Sequence, residues 1–199
     1  PSHSWEHEWI PDLTYEELRE VLRRSKAQLE DVTGRTVVSF APPWNVPTKF
    51  MRKAAIGLYQ RRRSRYDRID IPTLCRALAE EGYETCRITY EPVPAVISRH
   101  LFKRIVSKPT RPEWVEGTLC FKVNGSGFAD ESIDVVRATA EQGGFAVIFA
   151  HPHSLIADND QNIEFFTEFL EVVRELRDKG KLVVGTPGEV LRDRARAGD

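Results

Sequence analysis

Short apolar runs alternate with amphipathic stretches along most of this chain, and that alternation constrains its fold more than any other feature. A buried strand reads as a short continuous apolar run, whereas a helix packed on one side repeats its apolar residues every third or fourth position. Residues 36–40, 86–90, 118–123, 145–150 and 182–184 fit the first pattern. Helical spacing predicts helices from Thr14 to near Gly34, over 47–65 more weakly, over 72–81, 130–142 and 161–179, and after Thr186. The helix boundaries carry their own chemistry. Thr14-Tyr15-Glu16-Glu17 and Thr186-Pro187-Gly188-Glu189 are capping boxes, in which a Thr and a Glu three positions later satisfy each other's backbone donors. Gly34, Gly82 and Gly143-Gly144 stand where a helix can end on a left-handed residue. Strands alternating with helices in this way define an α/β protein.

At 199 residues the chain suits one domain, spanning 1–199, with a sizeable core. Its net charge of -1 offers no electrostatic case for a nucleic acid partner. No apolar run approaches the roughly 20 residues of a membrane span. Cys75, Cys86 and Cys120 form no C-x-x-C pair and read as free core thiols. That points toward a reducing compartment such as the cytoplasm, with the cell envelope left open. The chain begins with neither Met nor a signal segment, directly on a candidate site, so a fragment or a processed product is expected. The basic run Arg61-Arg62-Arg63-Ser64-Arg65 is a solvated face or a phosphate or acidic-glycan contact. Residues 91–116, with Pro92, Pro94, Pro109 and Pro112, read as a long irregular loop. Nothing in the sequence signals an oligomeric state.

The chain has 5 histidines, and all but one fall in two short clusters. His3 and His7 frame Ser4-Trp5-Glu6, with Trp9 close behind; His151-Pro152-His153 follows the apolar run 145–150. Imidazole is the commonest protein ligand for zinc-like ions, and a four-residue spacing on one helical turn would place His3 and His7 on the same side. Such a site still needs a third ligand. In parallel α/β barrels, residues just beyond strand C-termini line the active-site mouth, a place open to residues 2–9, 41–45 and 151–153. There His151 can work as an acid or base near neutrality. Trp5, Trp9 and Trp44 offer flat apolar faces to a sugar ring. Each feature also has a plain explanation. His3 and His7 alone can be surface histidines, His-Pro-His a strand end, and Pro42-Pro43-Trp44 a rigid turn over a packed ring. Their joint occurrence in this order carries the functional reading.

That order resembles the polysaccharide deacetylase (NodB-homology, carbohydrate esterase) superfamily. His3-Ser4-Trp5-Glu6-His7 looks like the family's His-[Ser/Thr]-x-x-His metal pair, and Ala41-Pro42-Pro43-Trp44 like its Arg-x-Pro-Pro-aromatic or similar groove turn. Ile148-Phe149-Ala150-His151 looks like the strand that delivers its catalytic histidine. The resemblance implies a distorted (β/α) barrel, incomplete here at its first strand, that removes N- or O-acetyl groups from a glycan or amino sugar. It implies a divalent ion, commonly zinc, held by His3 and His7, with His151 as the acid. Trp5, Pro43, Trp44 and His153 would contact substrate.

The chain departs from the family twice. The Asp pair expected upstream of the histidines is missing, and Ala41 stands where the family has Arg. Asp158 and Asp160 follow the His-Pro-His cluster and are candidate ligands, although Asp-Asn-Asp before a helix also reads as its N-cap. Asp67 and Asp70 are further candidates without a spacing argument. Two other readings therefore stay open. One is a catalytically inactive, deacetylase-like glycan-binding module. The other is an unrelated metal enzyme of phosphoesterase-like or amidohydrolase-like type, with more His or Asp ligands at other strand ends.

Overall fold

A computed structural model of the chain describes residues 1–49, 66, 68–90, 108–156 and 161–197. The expected helix over 47–65 from residue 50 onward, the basic run at Arg61, Asp67, Asp158, Asp160 and the loop 91–116 up to residue 107 lie outside those residues. The described residues fall into two compact units, one within 1–96, 113–121 and 186–199, the other within 97–112 and 122–185. Among them, no helix is long and apolar enough to cross a membrane.

In the first unit, helix α1 (Tyr15–Thr33) begins where the capping box predicts. The Glu17 backbone donates to Thr14 Oγ1 and the Thr14 backbone to Glu17 Oε2, at 3.3 and 2.7 Å. The donated Thr14 N–H holds the Glu17 carboxyl below its ordinary pKa. Gly34, at φ 62°, ends the helix in the left-handed region that a Cβ disfavours. Helix α2 (Ile71–Glu80) has Asp70 as N-cap, accepting from the Thr73 backbone at 2.9 Å, and a Pro in its first turn. Asp70 is thus committed to the cap.

The sheet of this unit runs in the order β1 (Ser39–Phe40), β3 (Thr85–Tyr90), β5 (Thr118–Lys122), β4 (Glu113–Val115). Strand β1 pairs in parallel with β3, placing Phe40 opposite Cys86. Strand β2 (Thr48–Lys49) also pairs in parallel with β3, placing Thr48 opposite Thr89. Strands β4 and β5 form an antiparallel hairpin across Glu116 and Gly117. Residues 113–115 were expected in a loop. Both turn residues have positive φ, 46° and 82°, as the tightest hairpin turns require, and that turn converts the end of the loop into a strand.

The core lies between this sheet and the apolar stripes of the helices. Leu18 and Leu22 of α1, Leu74, Cys75 and Leu78 of α2, and Phe40, Cys86, Ile88 and Cys120 of the strands are buried in one cluster. Each such aliphatic or aromatic side chain contributes about 1.5–3 kcal/mol relative to exposure. Tyr83 packs edge-on against Phe40 at 5.8 Å and donates its hydroxyl to Leu22 O at 3.0 Å. Burial pushes its phenol up to about 12. All the cysteines are free and buried, as expected, with Cys75 and Cys120 sulfurs 3.4 Å apart. The closing helix α5 (Pro187–Ala197) belongs to the same unit and starts on the second capping box, with Glu189 N donating to Thr186 Oγ1 at 3.3 Å.

The second unit holds α3 (Asp130–Gln142), α4 (Ile163–Asp178) and a parallel pair, β6 (Gly125–Ser126) with β7 (Ile148–Phe149). The apolar run 145–150 was expected to form a longer buried strand. It is half-buried, and apart from β7 it pairs only at Phe145 with Thr110 among the described residues. Phe166 and Phe169 of α4 meet Phe128 at 4.7 and 5.5 Å. Asn162 caps α4 by accepting from the Glu164 and Phe165 backbones, so the cap is not the expected Asp-Asn-Asp. Residues 182–184 form no strand, and Val183 is 89% exposed. An apolar triplet without pairing partners is too weak a signal for a strand. The architecture is thus α/β with mostly parallel pairing.

Candidate functional site in the first unit

The site is built from the chain's opening residues laid along β1. Ser2 donates its N–H to Ser39 O at 2.8 Å and accepts from Ala41 N at 2.9 Å, a parallel bridge beside Phe40. Its buried hydroxyl meets Ser25 Oγ at 2.7 Å, and Ser25 donates to Ser4 O at 3.0 Å. Helix α1 therefore pins the opening segment against the strand, and His3 emerges just past the end of β1.

His3 and His7 were expected on one helical turn. No helix forms there; Ser4 and His7 take left-handed backbone angles, φ 72° and 60°. The turn closes on Glu8, whose carboxylate accepts from Ser4 Oγ and from the Glu6 backbone at 3.0 Å, while Glu8 N donates to Ser4 Oγ at 3.2 Å. This turn does what a helix would have done. The imidazole rings of His3 and His7 meet edge-to-face, 4.9 Å between centroids.

His3 Nδ1 lies 2.6 Å from Ala41 O. A carbonyl only accepts, so Nδ1 carries the proton and the lone pair of the neutral ring sits on Nε2. That second-partner arrangement is typical of a metal-ligating histidine. Ala41 contributes here through its backbone, whatever its side chain.

The turn after β1 supplies the aromatic wall. Pro43 is buried, and Trp44 and Asn45 follow in the left-handed region at φ 57° and 56°. Trp44, 43% exposed, stands edge-on to His7 at 4.9 Å and lies 6.4 Å from Trp9. Four of the non-glycine residues with positive φ, Ser4, His7, Trp44 and Asn45, thus belong to this one site. Such backbone persists where surrounding contacts over-determine it, and it clusters at functional sites. Trp5, between the two histidines in sequence, carries the Arg24 guanidinium 4.4 Å from its ring.

Arg87 of β3 was not singled out from the sequence. Its Nη2 donates to Asn45 Oδ1 at 2.7 Å and to Pro42 O at 3.3 Å. Burial lowers the guanidinium from its ordinary pKa. Only strand register reveals its neighbours, so no local sequence signal could have found it.

His151 and His153 belong to the second unit. His151 follows β7 as expected, is exposed, and donates its N–H to Gln161 Oε1 at 2.9 Å. His153 lies in a short 3-10 turn, 5.4 Å from the His151 ring. The structure therefore brings His3, His7, Trp9 and Trp44 together in one unit, and His151 with His153 in the other. Among the described residues no group of 3 or more His, Cys, Asp or Glu side chains could hold a metal ion. The His3 tautomer leaves Nε2 open to such an ion, and the His3–His7 pair would supply two of the ligands a zinc site takes.

The class defined so far is an α/β protein with a histidine pair and an aromatic wall at a strand end. Residues 1–59 match the family model described as Polysaccharide deacetylase, which supports a relationship to the polysaccharide deacetylase superfamily. The matched stretch contains His3, His7, Pro43 and Trp44 and stops short of His151. That family acts on acetylated carbohydrate and is generally metal-dependent. No curated protein matches the chain.

Proposed function

We propose that this chain is a metal-dependent carbohydrate deacetylase domain, spanning 1–199, that hydrolyses N- or O-acetyl groups on a glycan or amino sugar. One observation carries the reading. His3 and His7 are held ring to ring beside Trp44 by left-handed turns, with the His3 Nδ1 proton committed to Ala41 O. A divalent ion, commonly zinc, bound by these two residues would polarise the acetyl carbonyl and activate water. Trp44 would seat the sugar on the turn that buried Pro43 supports, with Trp5 extending the apolar contact. His151 would protonate the leaving amine or alkoxide, with His153 contacting substrate; these roles rest on the resemblance. The distorted barrel implied by the family belongs to the same proposal.

Acetate release from acetylated oligosaccharides, with zinc supplied, tests it. His7→Ala should abolish release and metal binding together. His151→Ala should remove turnover but spare metal binding; loss of metal would make His151 a ligand and contradict its role.

A non-catalytic glycan-binding module is the second reading, favoured by the two-ligand histidine pair and by Ala41 in place of Arg. It requires glycan affinity that survives His7→Ala, with no acetate release from the unmodified chain.

A further inference from the structure

Strand β3 pairs first with β1 and then with β2, so residues 41–47 on one side stand against Arg87 and Ile88 alone on the other. The surplus chain must loop out, and it does so as the Pro42-Pro43-Trp44-Asn45 turn. Arg87 sits at the root of that loop. A single nitrogen, Nη2, spends its two hydrogens on Pro42 O and Asn45 Oδ1, the residues that bracket Pro43 and Trp44. The turn's own backbone bonds are long: Asn45 N to Pro42 O at 3.3 Å and Val46 N to Pro43 O at 3.2 Å. Left-handed backbone suits Asn, but a bulky Trp adopts it only when neighbouring contacts enforce it. The charge-assisted bond at 2.7 Å is shorter than either of these backbone bonds.

We propose that Arg87 is a positioning residue: by clamping Pro42 and Asn45 it fixes Trp44 in its edge-on contact with His7, and so sets the spacing between the aromatic wall and the histidine pair. Its consequence for sugar binding rests on the glycan reading above. The positioning itself does not. A planar fork with several donors suits the task, and a lysine ammonium does not reproduce it.

The test combines two readouts on the folded chain. The first is the amide and indole NMR signals of Trp44 and the ring signals of His7. The second is affinity for an N-acetylated amino-sugar oligosaccharide. Arg87→Met should shift the Trp44 and His7 signals while leaving Trp5 and the core unchanged, and should weaken the oligosaccharide about tenfold. Arg87→Lys should recover little. Adding Arg87→Met to Trp44→Ala should cost nothing more, because Arg87 acts through Trp44. Unmoved Trp44 and His7 signals, or losses that simply add, would overturn the proposal. Should Arg87→Met fail to fold, Asn45→Gly keeps the left-handed turn accessible, removes the same short bond from the half-buried side and must shift the same signals. If the unmodified chain binds no oligosaccharide, the glycan reading falls and the NMR shifts still decide the role of Arg87.

Discussion

The two units use the same secondary-structure vocabulary and bury it very differently. In the first, α1 and α2 drive Leu18, Leu22, Leu74 and Leu78 wholly out of solvent, and sheet and helices share one apolar cluster. In the second, α3 buries Ile133, Val135 and Val136, but α4 buries no residue completely and leaves Ile163 and Leu170 exposed. Helical periodicity states which face is apolar; it does not state how deeply that face is covered. The left-handed turns of the histidine pair stand in the densely packed unit. Strained backbone needs a rigid support to persist, and Ser2, Ser25 and Phe40 supply it.

Core truncations should separate the units most strongly. Leu22→Ala is expected to cost about 2–5 kcal/mol in denaturant unfolding, whereas Ile163→Ala should stay within about 0.5 kcal/mol. Comparable losses would dissolve the contrast. The next effect is a pH dependence confined to the first unit. The folded Tyr83 phenol titrates near 12, above its unfolded value near 10. Its contribution is complete below pH 10 and lost as pH rises toward 12, because the unfolded state gives up the proton first. The slope should approach about 1.4 kcal/mol per pH unit, and Tyr83→Phe should remove it from alkaline unfolding curves. Caps should show the smallest effect and the least contrast: Thr14→Ala in one unit and Asn162→Ala in the other each cost about 1 kcal/mol by thermal unfolding. A larger loss at Thr14 would mean that its capping bonds also draw on the surrounding core.

What was legible in the sequence was local. Both capping boxes, Gly34 as a helix end and His151 after a strand follow from residues a few positions apart, whose chemistry needs no tertiary partner. What was illegible depended on register or on backbone sign. The His3–His7 meeting was expected from helical spacing, yet Ser4 and His7 achieve it through positive φ, a state no pattern of side chains declares. The hairpin at Glu116-Gly117 lacked the Asn-Gly or Asp-Gly signature of such turns. Arg87 gained meaning only once β3 was placed beside both β1 and β2. The candidate residues were thus named by motif, and the geometry that brings His3, His7, Trp9 and Trp44 together was set by neighbours distant in sequence.

Zinc titration of the purified chain, followed by calorimetry and elemental analysis and repeated on His3→Ala and His7→Ala, tests the histidine-pair site most directly. A functional site should take up about one ion per chain, releasing protons as it binds, and each substitution should abolish uptake. Uptake that survives both substitutions, or none at all in the unmodified chain, would contradict a metal centre built on His3 and His7.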